Sequence, residues 1–130
     1  MKSIAVLMTL SLSLSGGTLV AQDATIKQLL SKDLVAHSGK ELSLVTVEYE
    51  PGASDPVHTH DAQAIVYVLE GSVVMQVKGK APVTLVPGQT FYEEPGDVHT
   101  VARNASRTAT AKFVVFFVKD KSAPILVPMK

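Results

Sequence analysis

The stretch PGASDPVHTHDAQAIVYVLEG, residues 51–71, decides how the chain is read. Pro51-Gly52 breaks whatever precedes it. His58 and His60 sit two apart, and alternate side chains of a strand share a face. Both imidazoles can therefore point to one side and meet one ion. Ala64 to Glu70 is an apolar, β-branched run closed by Gly71, which predicts a strand. Half of a metal site on β-structure is thus visible, and the remaining donors must come from elsewhere.

Outward from this stretch the chain continues as short strands. ELSLVTVEYE (41–50) alternates Leu42, Leu44, Thr46 and Glu48 against Ser43, Val45, Val47 and Tyr49. Glu70-Gly71-Ser72 predicts a hairpin into SVVMQVKGK, and Gly79-Lys80 a second turn. PVTLV ends at Pro87-Gly88 and TFYEE at Pro95-Gly96. DVHTVAR and TAKFVVFFVK complete the set. The tail SAPILVPMK carries two prolines, which suits an edge strand or an arm. ATIKQLLSKDLV, with Leu29, Leu30 and Leu34, fits a short helix or an extended arm. His37 lies in a polar turn and is expected in solvent. Many short strands with Gly/Pro punctuation predict one all-β domain, a sandwich or barrel.

The first residues read differently. Lys2, an apolar run to Val20 and then Ala21 have the layout of a signal peptide cut after Ala21. Ser11, Ser13, Ser15, Gly16 and Gly17 interrupt the run, which argues against a membrane anchor of about 20 apolar residues. A periplasmic or secreted location is expected, with no membrane association after cleavage. The chain has no cysteine, so packing, a metal or oligomerisation must supply stability without disulfides. Twelve basic residues balance twelve acidic ones, and no basic patch or run favours nucleic acid as a partner.

The third histidine is His99, which follows the Pro95-Gly96 turn at the start of a strand. If that strand lies beside His58 and His60, three neutral imidazoles converge. Such a set suits Fe, Mn, Ni, Cu or Zn and leaves positions open for water or substrate.

Here the sequence resembles a known family. Gly52-x5-His58-x-His60 followed by Gly71 is similar to the first motif of the cupins. Gly88-x6-Pro95-Gly96-x2-His99, with Asn104 beyond, is similar to the second. Sixteen residues separate Gly71 from Gly88, near the short end for bacterial single-domain cupins. The resemblance covers about Glu41 to Val118. It implies a single-domain double-stranded β-helix, a jelly-roll barrel at 41–120, with a metal at its mouth. Residues 22–40 and 121–130 would then be N- and C-terminal arms.

The chain departs from the family pattern in three ways. Glu94 stands where proline is usual, with Pro95 one later. The asparagine is shifted to Asn104, which is expected to affect only the turn after the strand. The family's motif glutamate falls on Ala64, which cannot bind a metal. Gln63, one residue earlier, is the candidate replacement, although strand parity from His60 turns it away. Asp61 is a weaker one, too close to His60 to share its ion easily. The expected ligands are therefore His58, His60 and His99, with or without Gln63.

Val66, Val68, Val74, Val86, Phe91 and Phe113 are available to line the interior. Tyr67, Tyr92 and Gln76 are the polar groups available near the cavity, and with Phe91 and Phe113 they are the candidates for a substrate pocket. The resemblance implies a metal-dependent, dioxygenase-like oxidoreductase of the quercetin-dioxygenase-like group. Its three-histidine set is nearer to the thiol and diketone dioxygenases. With Ala64 in the glutamate's place, no general base is expected at that position. The alternatives are a non-catalytic module holding a metal or small organic ligand, and a metal-free barrel. The resemblance also implies a homodimer, formed through Ile26–Leu34 or Pro124–Met129.

Overall fold

The computed structural model describes residues 24–130. The expected signal peptide, residues 1–21, lies outside the described residues. Ten strands follow in order: β1 (Thr25–Asp33), β2 (Lys40–Tyr49), β3 (His58–Thr59), β4 (Ala62–Glu70), β5 (Val73–Val77), β6 (Val83–Leu85), β7 (Thr90–Glu93), β8 (His99–Asn104), β9 (Ala111–Asp120) and β10 (Val127–Pro128). They form two five-stranded antiparallel sheets, ordered β1-β2-β9-β4-β7 and β10-β3-β8-β5-β6. The all-β reading holds.

The first sheet follows the alternation legible in the sequence. Val45, Val47 and Tyr49 of β2 face inward, as do Ala62, Ala64, Val66 and Val68 of β4 and Ala111, Phe113, Val115 and Phe117 of β9. The residues between them are half-buried or exposed. Period-two patterning of this kind buries one face of each strand. Val73, Met75 and Leu85 close the core from the second sheet. Val86, expected inside, is exposed, because it lies just past the end of β6.

The segment that fits a helix or an arm is strand β1, laid along β2 at the edge of the first sheet. The tail forms β10, at the edge of the second sheet beside β3. Buried Lys119 fixes the approach to that tail. Its ammonium contacts the Glu41 carboxylate at 2.8 Å and donates to the Ala123 carbonyl at 2.7 Å.

The expected hairpin at Glu70-Gly71-Ser72 is instead a corner. β4 belongs to the first sheet and β5 to the second, so the chain changes sheets there. Gly71 makes this possible. Its φ is +65°, and a Cβ on it would lie 2.5 Å from the Thr110 carbonyl oxygen. Only glycine adopts that conformation at that approach without strain.

Asn104 has a larger role than shaping the turn after its strand. Its buried amide donates to the carbonyls of Tyr49, Glu50 and Ala109, and its oxygen accepts from the Ser106 N–H. It therefore ties the ends of β2, β8 and the loop before β9 together.

Candidate metal centre

The second sheet assembles the histidines. β3 and β8 run antiparallel with His58 and His99 as Cα partners. His60 follows β3 with the same inward phase as His58. The turn after β7 helps to seat it, because the Gly96 N–H donates to the His60 carbonyl at 2.9 Å. All three imidazoles are buried. Their ring centroids lie 4.8–5.2 Å apart. One ring nitrogen from each lies within 4.8 Å of the other two.

Hydrogen bonding orients the rings. His58 Nδ1 lies 2.8 Å from the Pro56 carbonyl oxygen, and His60 Nδ1 bonds the Ile125 carbonyl oxygen. A carbonyl oxygen can only accept, so each Nδ1 carries the proton. Each Nε2 is left with its lone pair, the arrangement that metal-binding histidines adopt. His99 Nε2 is buried without a hydrogen-bond partner. Burial holds His60 and His99 neutral, lowering both to about 4, with His58 adding to the effect at each. Neutral imidazoles with orphaned lone pairs suit a divalent transition metal.

A fourth group reaches this cluster. Glu93, the last residue of β7, is buried between two of the histidines. Its Oε2 lies 3.5 Å from His60 Nε2 and its Oε1 lies 3.8 Å from His99 Nδ1. Oε2 has no hydrogen-bond partner. Burial, with Asp97 nearby, pushes its carboxyl up to about 7. Sequence reasoning did not select Glu93. The available signal was the inward phase it shares with Phe91 across TFYEE.

Gln63 lies elsewhere. It is exposed, and its amide donates to the Tyr92 hydroxyl at 2.9 Å. Its neighbours Ala62 and Ala64 take the inward phase, which turns position 63 outward. Asp61 is also exposed, as is His37.

The cavity beside the histidines occupies about 460 Å³, open solvent at its mouth included. Val45, Val66, Met75, Phe113, Val115 and Phe117 line it as an apolar wall. The C-terminal arm contributes Ile125 and Leu126. At another wall the Tyr49 hydroxyl donates to Asp55 at 2.6 Å. Burial, then the Asp55 charge, raises the Tyr49 phenol far above its ordinary range, so it stays protonated. Of the residues expected beside a pocket, only Phe113 lines this cavity. Phe91 packs partly buried against the core. Tyr67 and Tyr92 are exposed, and Gln76 donates to the Lys80 carbonyl at 2.9 Å. Strand phase again gives the reason: Tyr67 and Tyr92 alternate with the inward Val66 and Glu93.

The family model for the cupin domain matches residues 45–117, the span that carries these strands and histidines. The chain belongs to the cupin family. No functionally curated sequence matches this cupin. Solved structures do. A double-stranded β-helix protein from Klebsiella pneumoniae is 20% identical, with a TM-score of 0.63 and 89% of each chain covered. The DMSP lyase DddQ from Ruegeria pomeroyi is 24% identical at a TM-score of 0.60, covering 68% of this cupin and 43% of the lyase. An oxalate oxidase in complex with glycolate is 24% identical at a TM-score of 0.62, covering 81% of this cupin and 54% of the oxidase. The cupin thus spans about half the length of these two enzymes or less. At such identities the likeness establishes the double-stranded β-helix fold and no particular activity.

Proposed function

We propose that the protein is an exported, metal-dependent cupin. His58, His60 and His99 hold one divalent transition metal, and a small organic molecule binds at the metal. The carrying observation is the convergence of three buried imidazoles, two of them fixed by carbonyl acceptors so that their Nε2 lone pairs face the site. Fe, Mn, Ni, Cu and Zn all fit this donor set.

A metal bound by neutral ligands keeps its charge and polarises a carboxylate, enolate or diketone. The chain's own residues supply the rest. The apolar wall from Val45 to Phe117 excludes water from the bound molecule, and the three rings fix the ion's position. A dioxygenase-like oxidation of such a molecule is the reaction class proposed. The glycolate complex of the similar oxalate oxidase supports a small oxygen-rich ligand.

A second reading, a non-catalytic binding module, is favoured by the arm residues Ile125 and Leu126 at the cavity. They narrow the space for a substrate. The export proposal rests on the layout of residues 1–21. A homodimer is proposed through β1, whose nine residues are all exposed at a sheet edge. The tail offers only the two-residue edge strand β10.

Elemental analysis of chelator-free protein lacking a histidine tag tests the metal. About one metal ion per chain, lost in His58→Ala, supports the centre. Oxygen uptake with diketones, flavonols, thiols and small carboxylates then separates enzyme from binding module. Absence of stoichiometric metal, with no rise in Tm on adding any, would sink the proposal.

A further inference from the structure

The family's motif glutamate falls on Ala64, yet a glutamate still reaches the histidines, from the neighbouring strand. Ala64 of β4 and Glu93 of β7 are Cα partners in the antiparallel ladder. Both are buried on the inner face. Opposed side chains on one face start about 4.5–5.5 Å apart. A carboxylate rooted at 93 therefore begins within reach of the space that one rooted at 64 would use. Alanine at 64, with nothing beyond Cβ, leaves that space to it.

We propose that Glu93 is the fourth ligand of the metal, an exchange of the carboxylate between two paired strands. The inference rests on the three-histidine reading and deepens it. The distance to His60 supports it, while Oε1 stands 3.8 Å from His99 Nδ1, outside the spacing of two ligands on one ion. At 3.5 Å, Glu93 Oε2 is too far from His60 Nε2 for a good hydrogen bond. Two donors each about 2.1 Å from one ion stand roughly 3–3.5 Å apart, and 3.5 Å lies at that limit.

Charge supports it as well. A buried carboxylate needs a cation or a set of donors. Among the described residues, the basic groups recorded against Glu93 are the imidazoles of His60 and His99, and no lysine or arginine pairs with it. No hydrogen bond reaches Oε2. A divalent ion would satisfy Oε2 and the lone pair of His99 together. The centre would then carry three neutral ligands and one anionic one.

Four proteins test the exchange: wild type, Glu93→Ala, isosteric Glu93→Gln, and the double variant Glu93→Ala with Ala64→Glu. Cobalt(II) is the probe, with its affinity measured by chelator competition and its ligand-field spectrum recorded. The Tm of each metal-free protein serves as the folding control. Both single variants should lose more affinity than the roughly 10–100-fold that follows loss of an outer hydrogen-bond partner. Their cobalt spectra should shift. The double variant should recover affinity, because the carboxylate returns from the opposite strand. Should Glu93→Gln hold cobalt within tenfold of wild type with an unchanged spectrum, the fourth-ligand assignment is overturned. His58→Ala separates the two readings. If wild type binds cobalt, His58→Ala loses it and the Glu93 variants keep it, only the Glu93 assignment fails. If wild type itself binds none, the three-histidine reading fails and takes the fourth ligand with it.

Discussion

His58 and His99 face each other across the β3–β8 ladder, and their rings stack with centroids 5.0 Å apart. Backbone pairing therefore sets the spacing of two donors before any ion arrives. Removing either donor leaves an incomplete set, whereas Gln63 lies outside, bonded to Tyr92. His58→Ala and His99→Ala are each expected to abolish stoichiometric metal binding. Gln63→Ala is expected to leave affinity within about twofold. Titration of the three variants with one metal checks this, and a loss in Gln63→Ala would contradict the observed phase of β4.

The metal-free protein should lose stability in acid. His60 and His99 fall from 6.5 to about 4 on folding, chiefly through burial, so the folded state refuses two protons that the unfolded chain accepts. Glu93 rises from 4.5 to about 7, also through burial, so the folded state keeps one proton that the unfolded chain releases. Between about pH 4.5 and 6.5 the unfolded chain thus binds about one more proton. Stability then rises with pH by about 1.4 kcal/mol per unit across that window. Below it, the histidine contribution has been lost. Tm of chelator-treated protein from pH 4.5 to 7 measures the slope; a flat profile would mean that the histidine shifts only offset that of Glu93, and a falling one that the histidines titrate normally when folded.

Asn104→Ala should destabilise the fold rather than the site chemistry. The substitution removes four hydrogen bonds at once, to Tyr49, Glu50, Ala109 and Ser106. Leaving several backbone groups without this partner is expected to cost about 2–4 kcal/mol. Urea denaturation measures it. A loss below about 0.5 kcal/mol, the scale of ordinary surface changes, would show that these carbonyls find other partners.

Strand phase was legible in the chain because it is local. Ser43 to Tyr49 and Ala62 to Val68 show their inner faces by simple alternation, and His58 and His60 share a face for the same reason. The pairing of strands is not local, and this is where sequence reasoning stopped. Nothing between Glu70 and Ser72 announces that β4 and β5 join different sheets. The alanine at 64 was visible as a missing carboxylate. Its counterpart is neither of the sequence neighbours Gln63 and Asp61: Glu93 lies 29 positions on and becomes a neighbour only through the β4–β7 register. Tyr67 and Tyr92 were misplaced for a simpler reason: alternation carried through from Val66 and Glu93 turns both outward.

The C-terminal arm should tune the metal through one backbone carbonyl. Ile125 accepts the Nδ1 proton of His60 and so holds that ring with Nε2 toward the site. The arm is anchored on both sides of this contact. Lys119 grips Ala123 before it, and after it β10 pairs with β3 while the Met129 N–H donates to Val57. A chain ending at Pro124 keeps the Lys119 anchor and loses the Ile125 carbonyl together with the β10–β3 pairing beside His58. Its metal affinity should fall by about 10–100-fold, the usual effect of losing an outer partner of a histidine ligand. Ile125→Ala keeps the carbonyl and removes only side chain from the cavity wall, so its affinity should stay within about threefold of wild type. Competition titrations of both variants decide the matter. Equal weakening would assign the effect to the Ile125 side chain, and no weakening in the truncated chain would mean that His60 keeps its orientation without the arm.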